Sequence, residues 1–238
     1  MDIQSLLICS LTIVLFGCVS SSAPSNQDIV NSMERVDNHD GLIRHYKGHL
    51  QNQPEDNEIT QELATVYFDK GDIESAQFYA DHLLNDGVLN WQLAQLRGQI
   101  HDKMNENSYA ETRYKQSLKL GNTSSHIHVL LGITYSKQDK FSQAEQEFNT
   151  ARLKGHNDLI IKNNLAVVYL AKGDYFRVTQ LLTPVFKENP GNQVVKANLA
   201  IAFFKLGRID QARELLNDEY SDSQVSKISR QLYKSDGQ

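Results

Sequence analysis

The stretch NNLAVVYLAKGDYFRVTQLL, residues 163–182, decides the fold because its pattern returns along the chain. The same layout appears in VLLGITYSKQDKFSQAEQEF at 129–148 and in ANLAIAFFKLGRIDQARELL at 197–216. Each segment has a leucine, a small residue, an aromatic residue three positions later, a turn with Gly or Asp, and a second apolar run. This order predicts two helices joined by a tight turn.

The pattern returns at a fixed spacing, with no insertion from residue 57 to residue 226. The small position of the first helix is filled in turn by Ala64, Gly98, Gly132, Ala166 and Ala200. The small position of the second helix is filled by Ala76, Ala110, Ala144, Val178 and Ala212. A fixed period of this length is typical of solenoids, in which each unit buries its apolar face only against its neighbours.

The period and the pattern resemble the tetratricopeptide repeat (TPR), a helix–turn–helix unit of about 34 residues. The resemblance implies an all-α, right-handed superhelical solenoid. Its five clear repeats would occupy 57–90, 91–124, 125–158, 159–192 and 193–226. A degenerate repeat is expected at 23–56 and a capping helix at 222–234, since terminal repeats otherwise expose an apolar face. The TPR domain as a whole is predicted to span 28–238.

The N-terminus predicts a processing signal. Residues 6–17, LLICSLTIVLFG, form an apolar run that is too short to cross a bilayer but suits a secretory signal. The motif Leu15-Phe16-Gly17-Cys18 resembles the lipobox of bacterial lipoproteins. That resemblance implies a signal peptide at 1–17, a lipidated Cys18 and a flexible tether at 18–27.

The residue after the cysteine bears on location. By the sorting rule of lipoproteins, Val19 implies the outer membrane of a Gram-negative bacterium, with the domain facing the periplasm. The alternative is an uncleaved signal anchor, because the segment before the apolar run contains Asp2 and no basic residue.

Composition argues against several classes of function. A net charge of −5 does not suit a nucleic-acid surface. The two cysteines, Cys9 and Cys18, both lie in the N-terminal segment, so neither a disulfide framework nor a Cys-ligated zinc site is expected. His45 and His49 are one helical turn apart but have no acidic or thiol partner at metal-binding spacing. No catalytic motif occurs, which predicts a protein that is no enzyme and has no cofactor, metal or small-molecule substrate.

In TPR proteins, four positions of each first helix line a concave groove, and the resemblance places them here. Neither Lys nor Arg occupies any of these positions, which are polar in the N-terminal half of the domain and apolar in the C-terminal half. The candidate peptide-binding residues are Ile133, Asn163, Asn164, Val167, Leu170, Asn198, Ile201 and Phe204. The apolar members would form a trough, and the asparagines would hydrogen-bond a ligand backbone. The alternative is that these residues pack inside the superhelix or against the capping helix.

The lipobox, the Ser-rich tether and the repeats together resemble the TadD lipoproteins of the tight-adherence (Flp) pilus, a pilotin-like family. Two blocks carry most of this resemblance: KNNLAVVYLAKGD at 162–174 and KANLAIAFFKLGR at 196–208. The resemblance implies a protein partner, either a secretin or another pilus-assembly component. Two alternatives are a TPR pilotin of type IV pili and a lipoprotein adaptor for cell-wall hydrolases or proteases.

Overall fold

The computed structural model describes residues 25–234, and within that range the regular structure is entirely helical. The helices are α1 (Asn26–Glu34), α2 (His39–Asn52), α3 (Asn57–Lys70), α4 (Ile73–Asn85), α5 (Trp91–Lys103), α6 (Asn107–Lys119), α7 (Ser125–Lys137), α8 (Phe141–Leu153), α9 (Asp158–Ala171), α10 (Tyr175–Glu188), α11 (Gln193–Lys205), α12 (Ile209–Leu216) and α13 (Asp222–Lys234).

Consecutive helices pair into hairpins, from α1–α2 to α11–α12, and α13 contacts both helices of the last hairpin. The predicted all-α solenoid with five clear repeats, a degenerate first repeat and a capping helix is confirmed. Helix α1 begins at Asn26, so it takes in the last two residues of the predicted tether. The predicted signal peptide and Cys18 lie outside the described residues, and both stay predictions.

The turn inside each hairpin has the same backbone conformation in all six repeats. Its central residue has a positive φ and recurs once per repeat, at Asp37, Gly71, Asn105, Asp139, Gly173 and Gly207. Glycine adopts this left-handed conformation freely, and Asn and Asp are the other residues that adopt it most readily. The turn at Asp37 lies in register with the other five turns.

The two helices of a hairpin come closest where the first helix has glycine. A Cβ on Gly98 would overlap the ring of Tyr114, and a Cβ on Gly132 would lie 2.6 Å from Phe148 Cε1. Both rings are fully buried. Glycine at these two positions therefore makes room for an aromatic ring from the second helix.

Stacking of the hairpins places the first helices on one surface. Each second helix contacts the first helix of the next hairpin, and α3, α5, α7, α9 and α11 contact one another in succession. The first helices thus line the inner face of the solenoid, where the sequence predicts a groove. Among residues 25–234, no helix has both the length and the hydropathy needed to cross a membrane.

Replacement of Tyr114 by Phe is expected to leave the free energy of unfolding unchanged or to raise it by up to about 1 kcal/mol. The Tyr114 hydroxyl is buried and has no hydrogen-bond partner among the described residues, and burial raises the pKa of this phenol. Phe148 fills the same position one repeat later. The measurement is chemical denaturation followed by circular dichroism. Tyr169→Phe is the control in which a bonded hydroxyl is removed, since the Tyr169 hydroxyl donates to Glu145 at 3.4 Å. A clear destabilisation by Tyr114→Phe would contradict the expectation.

Candidate functional site

The inner face is apolar and open in its C-terminal half. Ile160 and Val167 of α9 are each 46% exposed, and Val194 of α11 is 58% exposed. Three predicted groove residues, Ile133, Leu170 and Ile201, are partly buried beside the core. Exposed aliphatic side chains on neighbouring helices make this part of the face apolar, and apolar patches on a protein surface often mark an interaction site.

A cavity of about 230 Å³ opens between α7 and α9. Three predicted groove residues, Ile133, Asn164 and Val167, line it. The remaining lining residues are Ser136, Lys137, Phe141, Phe148, Val168 and Ala171. Its walls are mostly apolar, so the cavity suits an apolar group better than a polar one.

The predicted asparagines mainly bond within the protein. Asn198 Nδ2 donates to Asn163 Oδ1 at 2.8 Å, which joins α11 to α9. Asn164 Nδ2 donates to the carbonyl of Ile160 in its own helix at 3.0 Å. The structure therefore assigns these side chains a structural use that the sequence prediction does not include.

The same kind of amide bond joins earlier repeats. Asn90 Nδ2 donates to Gln61 Oε1 at 2.9 Å, and Asn122 Nδ2 donates to Gln95 Oε1 at 2.9 Å. Gln61, Gln95 and Asn163 occupy the same position of the first helix in the first, second and fourth clear repeats. A side-chain amide at this position thus links one hairpin to the next in three repeats.

Phe204 is the one predicted groove residue that the structure removes from the surface. Its side chain is 1% exposed and belongs to the same buried cluster as Val225 of α13. Helix α13 packs on α11 and α12 as a further hairpin would, so it covers the end of α11. A ligand on the open inner face does not reach Phe204, and its prediction as a binding residue is wrong.

The N-terminal end of the inner face has a different character. A cavity of about 350 Å³ there is lined by residues of α1, α2 and α3, including the carboxylates of Glu34, Glu58 and Glu62. Glu62 is still partly exposed, but the pKa of its carboxyl is raised. Partial burial is the larger cause, and the neighbouring carboxylates of Glu34 and Glu58 are the smaller one. Burial and then the carboxylates of Glu62 and Glu34 raise the pKa of Tyr46 to about 12. This end of the face disfavours anions and favours cations.

Several histidines have acidic partners within the fold. His49 Nε2 lies 2.9 Å from Asp56 Oδ2, and His101 Nδ1 lies 2.7 Å from Glu106 Oε2. His45 lines the N-terminal cavity. Within residues 25–234, no group of three or more His, Cys, Asp or Glu side chains has an arrangement suited to a metal ion.

Comparison with known proteins agrees with this architecture. A family model described as tetratricopeptide repeat matches residues 169–218. The structure aligns with a tetratricopeptide repeat protein from Parabacteroides merdae ATCC 43184 at a TM-score of 0.66 and 16% identity, over 80% of this chain and 76% of that one. No curated protein sequence matches the chain significantly.

Two further solved structures are similar. YrrB, described as a TPR protein with an unusual peptide-binding site, aligns at a TM-score of 0.61 and 14% identity, over 78% of this chain and 97% of that one. The Pseudomonas aeruginosa pilF product aligns at a TM-score of 0.58 and 14% identity, over 77% of this chain and 90% of that one. At these identities the likeness concerns the fold alone.

The chain folds as a TPR solenoid. This architecture presents extended surfaces that suit protein–protein interaction. The sequence correctly indicates which helices form the inner face. It misses the cavity beside Ala171 and the acidic cavity at α1, because both depend on how neighbouring hairpins meet.

Proposed function

We propose that this protein is a membrane-anchored TPR scaffold that binds a polypeptide on the C-terminal half of its inner face. The observation that carries the proposal is the open apolar surface of α7, α9 and α11, where Val167 and Val194 remain exposed. None of the predicted groove positions has Lys or Arg. A basic clamp for the terminal carboxylate of a peptide is therefore not the mode of binding, and apolar contacts supply most of the affinity.

The anchor in this proposal is a lipid on Cys18. From Cys18 to Ser25, the N-cap of α1, the chain spans at most about 25 Å when fully extended. The first repeat then stays close to the outer membrane on the periplasmic side. A partner bound to such a scaffold is concentrated at that bilayer.

The finer proposal is a pilotin-like role in assembly of the tight-adherence (Flp) pilus secretion machinery, with a secretin or another pilus component as partner. Its support is the resemblance of the lipobox, the tether and the two NLA blocks at 162–174 and 196–208 to that family. The partner's affinity for the inner face and the lipid on Cys18 would act together. Loss of either would lower the amount of secretin multimer in the outer membrane.

The test is crosslinking in cells followed by purification from outer membranes and mass spectrometry. Val167→Glu is expected to lower recovery of the main partner about tenfold or more, because a carboxylate would be buried without a partner in an apolar interface. Leu153→Glu is the matched control, since Leu153 is 86% exposed at the end of the second helix α8. Circular dichroism checks that both variants are folded.

Cys18→Ala tests the anchor separately. The variant is expected to leave the membrane fraction and to reduce secretin multimers while partner binding in solution persists. Fractionation like that of the wild type would contradict the lipid anchor. Recovery of a type IV pilus secretin, or of cell-wall hydrolases or proteases, would contradict the tight-adherence assignment and leave the scaffold in place.

A further inference from the structure

The cavity between α7 and α9 exists because one repeat departs from the pattern of the others. The thirteenth position of each clear repeat, at the end of its first helix, is charged in four repeats, at Asp69, Lys103, Lys137 and Lys205. In the fourth repeat this position is Ala171, which lines the cavity. A short side chain here leaves open the space that a longer one would cover.

The polar side chains around the cavity already have partners. Ser136 Oγ donates to the carbonyl of Gly132 at 2.8 Å, and Lys137 Nζ donates to Asp102 Oδ1 at 2.7 Å. Asn164 Nδ2 bonds within α9, as described above. The deeper wall consists of Phe148 and Val168, which are fully buried core residues. A polar group that entered would lose its bonds to water and gain few in return.

The charges of the inner face indicate which charge a ligand should have beside the part that enters the cavity. Glu34, Glu58 and Glu62 form no ion pair and no side-chain hydrogen bond with any described residue, and they repel one another. The apolar half has no comparable excess of charge, since its Lys137 is paired with Asp102. Electrostatic complementarity therefore favours a ligand that is cationic toward α3 and uncharged at the cavity.

We propose that the cavity beside Ala171 anchors one aromatic or leucine side chain of a bound polypeptide segment whose Lys or Arg residues face Glu58 and Glu62. The cavity has the size of a single large side chain. A buried apolar anchor of this kind supplies a large share of the affinity of an interface, and the flanking charges set orientation and rate of association. This inference rests on the proposed function and adds the chemistry of the partner.

The test uses a phage-displayed library of random peptides selected on the immobilised full chain. Enriched peptides are expected to share one Phe, Trp or Leu, with Lys or Arg on one side of it. Ala171→Lys is expected to weaken an enriched peptide at least tenfold by filling the cavity. The variant should fold, because lysine occupies this position in three other repeats. Leu153→Lys adds the same charge at an exposed residue of α8 and should leave the affinity unchanged.

A second variant, Glu58→Gln with Glu62→Gln, tests the charged part. It is expected to weaken the same peptide several-fold and to reduce the dependence of its affinity on salt. Peptides that bind Ala171→Lys as tightly as the wild type but lose affinity for Val167→Glu would overturn the anchor and leave the groove intact. Peptides that bind Ala171→Lys and Val167→Glu as tightly as the wild type would overturn the inference and would also contradict binding in the groove. A selection that enriches acidic peptides would overturn the inference as well.

Discussion

Phe204→Ala is expected to lower the free energy of unfolding of the C-terminal repeat by about 3–5 kcal/mol, whereas Val167→Ala should change it by less than about 1 kcal/mol. Both residues belong to the apolar groove that the sequence predicts. The structure separates them, because Phe204 is 1% exposed and Val167 is 46% exposed. Truncation of the first leaves a cavity in the core, and truncation of the second removes only part of an exposed side chain.

The location of the loss is as informative as its size. Stability in a solenoid comes from each repeat and its contacts with neighbours, so Phe204→Ala should act mainly on α11, α12 and α13. Hydrogen exchange measured by mass spectrometry should show faster exchange there, with α3 to α6 nearly unchanged. Denaturation monitored by circular dichroism gives the free energies. Equal effects of the two substitutions would mean that the capping helix does not cover Phe204.

The comparison of these two residues shows what the repeat pattern can predict. The repeat period assigns Val167 and Phe204 to first-helix positions that face inward. It contains no information on what covers the end of the array. Only the packing of α13 on α11 distinguishes a groove residue from a core residue at the last repeat.

The predicted asparagines illustrate a second limit. Residue type shows that Asn163 and Asn198 are able to hydrogen-bond, but not to which partner. The bond between them depends on the offset between α9 and α11, which is a property of the stacked hairpins. The short side chain at Ala171, unlike the bond between the asparagines, can be recognised without a structure, because a comparison of the thirteenth positions of the five repeats reveals it.

Gly132→Ala is expected to lower the free energy of unfolding by about 1–3 kcal/mol, although alanine is the better helix former by about 1 kcal/mol. The added Cβ would lie 2.6 to 2.8 Å from three carbons of the Phe148 ring. Phe148 is 1% exposed and enclosed by the core, so the ring has little open space into which it can move. The overlap has to be relieved by separation of α7 from α8.

The neighbouring repeats indicate which second change relieves the overlap. At the positions equivalent to Gly132 and Phe148, the next two repeats have Ala166 with Leu182 and Ala200 with Leu216. Gly132→Ala combined with Phe148→Leu installs this pair in the third repeat. Because leucine is smaller than phenylalanine, the double variant should be more stable than the sum of the two single losses predicts, with a coupling of about 1–2 kcal/mol.

A double-mutant cycle by urea denaturation measures this coupling, with the wild type, both single variants and the double variant. Gly48→Ala is the matched control, since a Cβ on Gly48 would meet no atom within 4 Å. That variant should be as stable as the wild type or slightly more so, because it gains helix propensity without overlap. Strictly additive losses in the cycle would show that the cost of alanine at position 132 does not depend on the side chain at position 148. The pairing of glycine with an aromatic ring, and of alanine with leucine, would then not be explained by the overlap between these two side chains.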